Sequence, residues 1–283
     1  MKEKIEQAKV LLDALPYIKK YAGEIFVIKY GGSAQINPDL KNRFAQDVIL
    51  LYMVGIKPVI VHGGGKKINS LLDKLQIESE FVDGMRVTSE QVMEVVEMVL
   101  SGNINKEIIN LLNMHGGKAL GLTGKDGKFM TAQPKDNGKY GLVGEITHID
   151  NSVVENLLNE KFIPVIAPIA SGGELGHPGF NINADLAASK IAASLKARKV
   201  IFLTDITGVL DKQKNLLSTL TKEEIENYKA DETIHGGMIP KVDACLEAVN
   251  GGVEKAHIID GRIEHSLLLE VFTNEGIGTV IKD

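Results

Sequence analysis

The stretch EIFVIKYGGSAQINPDLKNRFAQDVILLYMVGIKPVIVHGGG, residues 24–65, reads as strand, helix, strand. Its outer segments, 24–30 and 58–62, are almost unbroken apolar runs, and each ends in glycines. Residues 40–54 between them carry helical spacing. Strands apolar on both faces belong in a parallel sheet covered on both sides. The alternation continues, with strands expected at 119–123, 163–169, 200–205, 256–260 and 278–281. Helices are expected at 66–75, 89–112, 182–195, 222–227 and 238–250. The pattern predicts an α/β chain, a three-layer αβα sandwich on a mostly parallel central sheet. Residues 128–131 and 142–149, around a Pro/Asn/Gly-rich turn, predict an inserted β-hairpin.

Ahead of the first strand, Ile5, Ala8, Leu12, Leu15 and Ile18 recur at helical spacing. Pro16 should kink that helix or start a second one, because proline donates no hydrogen bond. The stripe must be buried against its own domain or another subunit. The glycine-rich SGGELGHPG, residues 171–179, is the candidate boundary between two lobes, 23–175 and 176–283.

The 283 residues suffice for one large domain or two lobes, and a net charge of −5 gives nucleic acid no bulk attraction. Cys245 is the single cysteine, which rules out an internal disulfide or a cysteine metal site. The amino terminus has no uninterrupted apolar block, and no run approaches the ~20 residues of a membrane span. A soluble, cytoplasmic protein is expected. The seven histidines show no i, i+4 pairing, so no protein-held metal is expected.

In such sheets ligands sit beyond the carboxyl ends of the strands. Lys29, followed by Tyr30, Gly31 and Gly32, could set an ammonium beside backbone N–H groups, as phosphate oxygens require; the plainer reading is a snorkelling strand-end lysine. Gly63–Gly65 before a helix let the backbone approach an anion. Asn181, Asn183 and Asp185 exceed what one helix cap needs. The loop Thr204, Asp205, Thr207, Gly208, Val209 suits a nucleotide, although a surface turn looks much the same. Lys241 near a helix start opposes the helix dipole unless an anion is near, and Arg86 could fork onto a carboxylate. No G-x-G-x-x-G, P-loop or G-x-S-x-G occurs.

The segments IKYGGSA (28–34), VIVHGGG (59–65), DGMRVT (83–88), NINAD (181–185), LTDITGVLD (203–211) and GGMIPKV (236–242) together resemble the amino acid kinase family. They run in family order over nearly the whole chain, and the resemblance is to its branch acting on N-acetyl-L-glutamate. It implies that MgATP phosphorylates the side-chain carboxylate of that acceptor, a step of arginine biosynthesis, with the metal carried by the nucleotide. On this resemblance Lys29 and Lys241 stabilise the transferred phosphoryl group and Asp185 orients them. Gly63, Gly64, Arg86 and Asn181 contact the acceptor. Gly31 and Gly32 line the phosphate path, and Thr204–Val209 hold the adenine nucleotide. The first lobe would bind acceptor and form the dimer, the second would bind ATP.

The LPYI element (15–18) and the EGIGT ending (275–279) resemble the arginine-inhibited branch, hexameric through its amino-terminal helices. That implies a homohexamer assembled by residues 1–22, with arginine near His257, Glu270 and Gly276. Some relatives bind a PII-type regulator; no residue here selects for one. Among other family acceptors, the absence of room for a further carboxy-terminal domain argues against aspartate and glutamate. A catalytically silent arginine sensor is the rival reading, opposed by the presence of both lysines and Asp185.

Overall fold

The computed structural model describes residues 2–274 and 276–283. The side chains at 2–8, 10 and 11 and the whole of Glu275 lie outside that description, and with them Ile5 and Ala8 of the expected stripe.

Helix α1 (Lys2–Tyr21) leads to β1 (Ile25–Tyr30), then to α2 (Pro38–Met53), β2 (Lys57–His62) and α3 (Gly65–Leu75). A small hairpin, β3 (Phe81–Val82) and β4 (Met85–Arg86), precedes α4 (Glu90–Glu97) and α5 (Asn105–Met114), which are joined by a π turn, Met98–Ile104. Next come β5 (Ala119–Thr123), the hairpin β6 (Met130–Pro134) and β7 (Gly144–Ile149), α6 (Asn151–Asn159), β8 (Ile163–Ala167) and β9 (Ile169–Ala170). The last part holds β10 (Phe180–Asn181), α7 (Ala184–Ser194), β11 (Lys199–Thr204), β12 (Thr219–Thr221), α8 (Lys222–Ala230), α9 (Ile239–Asn250), β13 (Lys255–Asp260), α10 (Ser266–Phe272) and β14 (Thr279–Lys282).

Eight strands form one sheet in the order β12-β14-β13-β11-β1-β2-β8-β5, parallel except where β14 runs against β13. The expected sandwich is therefore present. Alternation along β1 divides its side chains between two fully buried layers. Val27 packs with Ala187 and Ile191 of α7 and Val242 of α9, whereas Phe26 and Ile28 pack with Val48 of α2 and Ile108 of α5. Each such side chain contributes about 1.5–3 kcal/mol on burial. The inserted hairpin forms with Met130 opposite Ile149 and Pro134 opposite Gly144.

Several elements differ from expectation. Pro16 lies inside α1, so no second helix begins there. Pro168 divides the 163–169 run into β8 and β9, since proline cannot donate to the ladder. The expected helix 89–112 changes register at the π turn. Residues 171–179 form the loop between β9 and β10, which pair antiparallel. Among the described residues no helix is long and apolar enough to cross a membrane.

Strand β1 lies between β11 and β2, so the chain leaves it toward one side and later returns on the other. Its carboxyl end is thus a topological switch point, where the connecting loops part and leave a crevice.

Gly121 of β5 leaves room for a buried side chain of α5. A Cβ there would lie 1.9 Å from Asn105 Oδ1 and 2.5 Å from Ile109 Cδ1. Gly121→Ala is expected to cost about 1–3 kcal/mol through overpacking, read as a lower denaturation midpoint.

Candidate active site

Lys29 is the penultimate residue of β1 and projects toward the first turn of α7. Its Nζ lies 2.9 Å from Asp185 Oδ1, and Lys241 Nζ lies 3.8 Å from Asp185 Oδ2. Asn183 caps α7, its side chain accepting from the N–H groups of Asp185 (2.9 Å) and Leu186 (3.2 Å). That cap fixes the turn carrying Asp185. Burial pushes the Asp185 carboxyl up, but the two ammonium groups outweigh it and hold the pKa below its ordinary value. Asp185 is therefore ionised at neutral pH, and one negative charge faces two positive ones. The amino ends of α7 and α9 add to the surplus positive potential.

Gly31 and Gly32 pass over this pair. A Cβ on Gly31 would sit 2.8 Å from Lys29 Nζ, and Gly32 takes φ +69° with its Cβ position 2.6 Å from Asp205 Oδ1. Asp205 Oδ1 also accepts from Ser33 N–H at 2.7 Å. The carboxylate expected in the nucleotide loop thus anchors the β1 loop as well.

On the β2 side lies a cleft of about 190 Å³ bounded by Gly63, Gly64, Arg86, Asn181 and Ala184. Arg86 is only 7% exposed. It donates to Ser79 Oγ (3.2 Å), the Gly65 carbonyl (3.4 Å) and Asn69 Oδ1, and lies 4.6 Å from the Phe81 ring centroid. These partners are neutral, and among the described residues no carboxylate pairs with it, so its charge is free to meet an anion. Asn181 Nδ2 donates to Thr88 Oγ1 at 3.2 Å. Gly64 is closely packed: a Cβ there would lie 2.5 Å from Ile104 Cδ1 and 2.6 Å from Leu100 Cδ2, both on the π turn, and those methyls would have to move aside. Gly63 contributes no free donor, because its N–H is bonded to the Tyr30 carbonyl at 2.9 Å. It lines the cleft only.

A second cleft, about 570 Å³, opens on the β11 side against Asp205, Thr207, Gly208 and Val209, with Lys212 and Arg262 also on its wall. Thr204 departs from expectation. It is 4% exposed and does not line this cleft; its hydroxyl bonds the carbonyls of Ile206 and Ile259, each at 3.2 Å, and accepts from Ile206 N–H at 3.3 Å. Val209 is buried with its N–H on Thr279 Oγ1 at 2.8 Å. Asn69, Ser79, Lys212 and Arg262 were not singled out by sequence, being single polar residues that only long-range folding brings here.

His257, Glu270 and Gly276 come together elsewhere, toward the amino ends of the strands. His257 Nδ1 lies 2.6 Å from Glu270 Oε1, Ile277 N–H donates to Glu270 Oε2 at 2.8 Å, and a Cβ on Gly276 would meet that oxygen at 2.8 Å. Burial pulls the His257 pKa down, and among the described residues its Nε2 has no hydrogen-bond partner. Lys199, whose Nζ lies 4.8 Å from the Tyr21 ring centroid, is lowered by burial to about 8. Tyr21 ends α1, so the amino-terminal helix reaches this cluster.

The model of the amino acid kinase family matches residues 24–260. The chain is 67% identical over 281 residues to the acetylglutamate kinase of a Nitratiruptor species, covering 99% of each chain. It is 63% identical over 283 residues to the acetylglutamate kinase of Nautilia profundicola, covering 100% of each. Among solved structures, the N-acetylglutamate synthase of Neisseria gonorrhoeae, complexed with coenzyme A and N-acetyl-glutamate, superposes with a TM-score of 0.86 at 25% identity. That match covers 98% of this chain but 63% of the other, so the chain spans less than two thirds of that structure. The carbamate kinase of Giardia lamblia bound to AMP-PNP, 18% identical with a TM-score of 0.69 over 93% of this chain and 99% of that one, shares the fold.

Thr204→Val separates the two roles of that residue. Losing a buried, fully used hydroxyl is expected to cost about 1–3 kcal/mol of stability and to leave nucleotide affinity unchanged. Thermal melts and nucleotide titration on one preparation check both.

Proposed function

The chain belongs to the amino acid kinase family and is a kinase, and we propose that it transfers the γ-phosphoryl group of MgATP to the side-chain carboxylate of N-acetyl-L-glutamate. The product is N-acetyl-L-glutamyl 5-phosphate, in arginine biosynthesis, a pathway of the cytoplasm. The observation that carries this reading is the Lys29–Asp185–Lys241 group set between two clefts. Asp185 follows Ala184 of the first cleft, Lys241 lies one turn beyond Met238 of the second, and Gly32 touches Asp205. The names of the full-length relatives support the choice of acceptor.

The chemistry asks for positive charge and alignment. An acceptor carboxylate is already ionised at pH 7, so no general base is needed. One carboxylate oxygen attacks the γ-phosphorus as the bond to the bridging oxygen breaks, and ADP leaves with that electron pair. Negative charge spreads over the equatorial oxygens during transfer. Lys29 and Lys241 would meet that charge, and the first N–H groups of α3 would add to them. Asp185 would keep the two ammonium groups apart and aimed. Arg86 and Asn181 would hold the acceptor, Gly31 and Gly32 the phosphate path, and Asp205–Val209 the nucleotide. On this reading residues 23–175 form the acceptor lobe and 176–283 the nucleotide lobe.

We further propose feedback inhibition by arginine at the His257–Glu270–Gly276 cluster, in a homohexamer joined through residues 1–22. Supporting it, the cluster adjoins Lys199 and, through Tyr21, the end of α1, the segment that would join the hexamer.

Lys29→Ala and Lys241→Ala are each expected to lower kcat by roughly 100-fold or more, the scale of losing one transition-state donor, with KM values little changed. An ADP-release assay with N-acetyl-L-glutamate measures this, and near wild-type kcat removes that lysine from the mechanism. Tight acceptor binding without any ADP release by the wild type makes the protein a sensor instead. Deleting residues 1–22 is expected to leave a dimer with a weakened arginine response, read by sedimentation and inhibition curves. A wild-type dimer indifferent to millimolar arginine overturns the regulatory reading.

A further inference from the structure

His62, the last residue of β2, is fully buried and lies outside the chemistry described above. Its Nδ1 is 3.1 Å from the Gly63 carbonyl, and its Nε2 is 3.2 Å from Asn105 Nδ2. The orientation of the Asn105 amide follows from its other neighbours. Nδ2 also donates to the Val165 carbonyl at 2.9 Å, which can only accept, and Oδ1 lies 3.3 Å from Lys106 Nζ, which can only donate. Asn105 therefore donates to His62 Nε2, so the single proton of the neutral imidazole is on Nδ1 and is given to the Gly63 carbonyl. Burial keeps the ring neutral, pulling its pKa down to about 4 although the Gly63 carbonyl opposes the shift.

Gln35 acts on the same carbonyl. Its Nε2 donates to Gly63 O at 3.2 Å and to Tyr30 O at 2.9 Å, tying together the loops that follow β1 and β2. In a trans peptide the carbonyl and the following N–H point in opposite directions. A Gly63 carbonyl held by two donors thus turns the Gly64 N–H the other way, away from His62 and Gln35, at the edge of the β2-side cleft that Gly64 borders. Were that peptide reversed, a carbonyl oxygen would face the reacting anions.

We propose that His62, Asn105 and Gln35 are positioning residues that fix the Gly63–Gly64 peptide so that its N–H meets the transferring phosphoryl oxygens. The chain of command runs from the end of the π turn, through one imidazole tautomer, to one backbone donor. The proposal rests on the phosphoryl-transfer reading, and its test is arranged to fail separately from it.

Nitrogen-edited NMR of the resting wild-type protein reads the tautomer directly, with no variant and no turnover. The expected signal is a protonated Nδ1 and a bare Nε2 for His62; a protonated Nε2 overturns the proposal. Two substitutions read the consequence. Asn can present its amide N–H near the position of imidazole Nδ1, whereas Gln presents one near Nε2. His62→Asn is expected to retain kcat within a few-fold, while His62→Gln and Gln35→Leu lower it by about 10–100-fold with KM for the acceptor little changed. Equal activity of the folded His62→Asn and His62→Gln proteins overturns the proposal. Should wild-type protein give no ADP release while showing the expected tautomer, the kinase reading fails and the peptide's orientation stands.

Discussion

One carboxylate holds the centre of this protein together. Asp185 is negative because two ammonium groups, one from a strand of the first half of the chain and one from a helix of the second, sit against it. It cross-links β1, α7 and α9 at the carboxyl end of the central strand. Neither lysine would be stable there without it, since like charges brought together in a half-buried site repel strongly. The group remains one negative charge short of neutrality. That imbalance, at the carboxyl end of the central strand, is what a polyanion would answer.

The remaining features supply this centre with walls. Asp205 reaches from the β11 loop to the Ser33 N–H, so the loop expected to carry nucleotide and the loop expected to carry phosphate are one mechanical unit. Gly64 is held against Leu100 and Ile104, so the depth of the cleft on the β2 side is set by the helix layer rather than by the loop. Arg86 reaches its place through Asn69 and Ser79, neutral partners that orient it without consuming its charge.

Much of the fold was legible because its central strands are apolar on both faces. Strands β1, β2, β5, β8, β11 and β13 all appear close to where the pattern puts them. What was missed is short or polar. The edge strand β12 is only Thr-Leu-Thr, and α6 and α10 are short, with nine and seven residues. The π turn was hidden because apolar spacing continues across it, and spacing does not report a change of hydrogen-bond register. Lys29, Asp185 and Lys241 were legible because each sits in a local motif. Lys199 was not, since a lysine opening a strand looks like any snorkelling lysine until Tyr21 is folded over it. Thr204 carries a related ambiguity: a hydroxyl at a strand end serves a ligand or its own turn with the same residue pattern.

The π turn at Met98–Ile104 has a bearing on how this sequence can change over time. A π turn holds one residue more than the α-helical register accommodates. Each residue advances a helix by about 100°, and the wide turn takes up its extra residue locally, so loss of a single codon within it would let the turn close to ordinary α register with α4 and α5 still in phase, at the expense of the contact that Leu100 and Ile104 make around Gly64. Substitutions at exposed positions of the turn leave that phase intact. The turn is thus the place in this helix layer where one residue can be lost with the flanking helices kept in phase, the change being felt at the cleft wall and not along the helices.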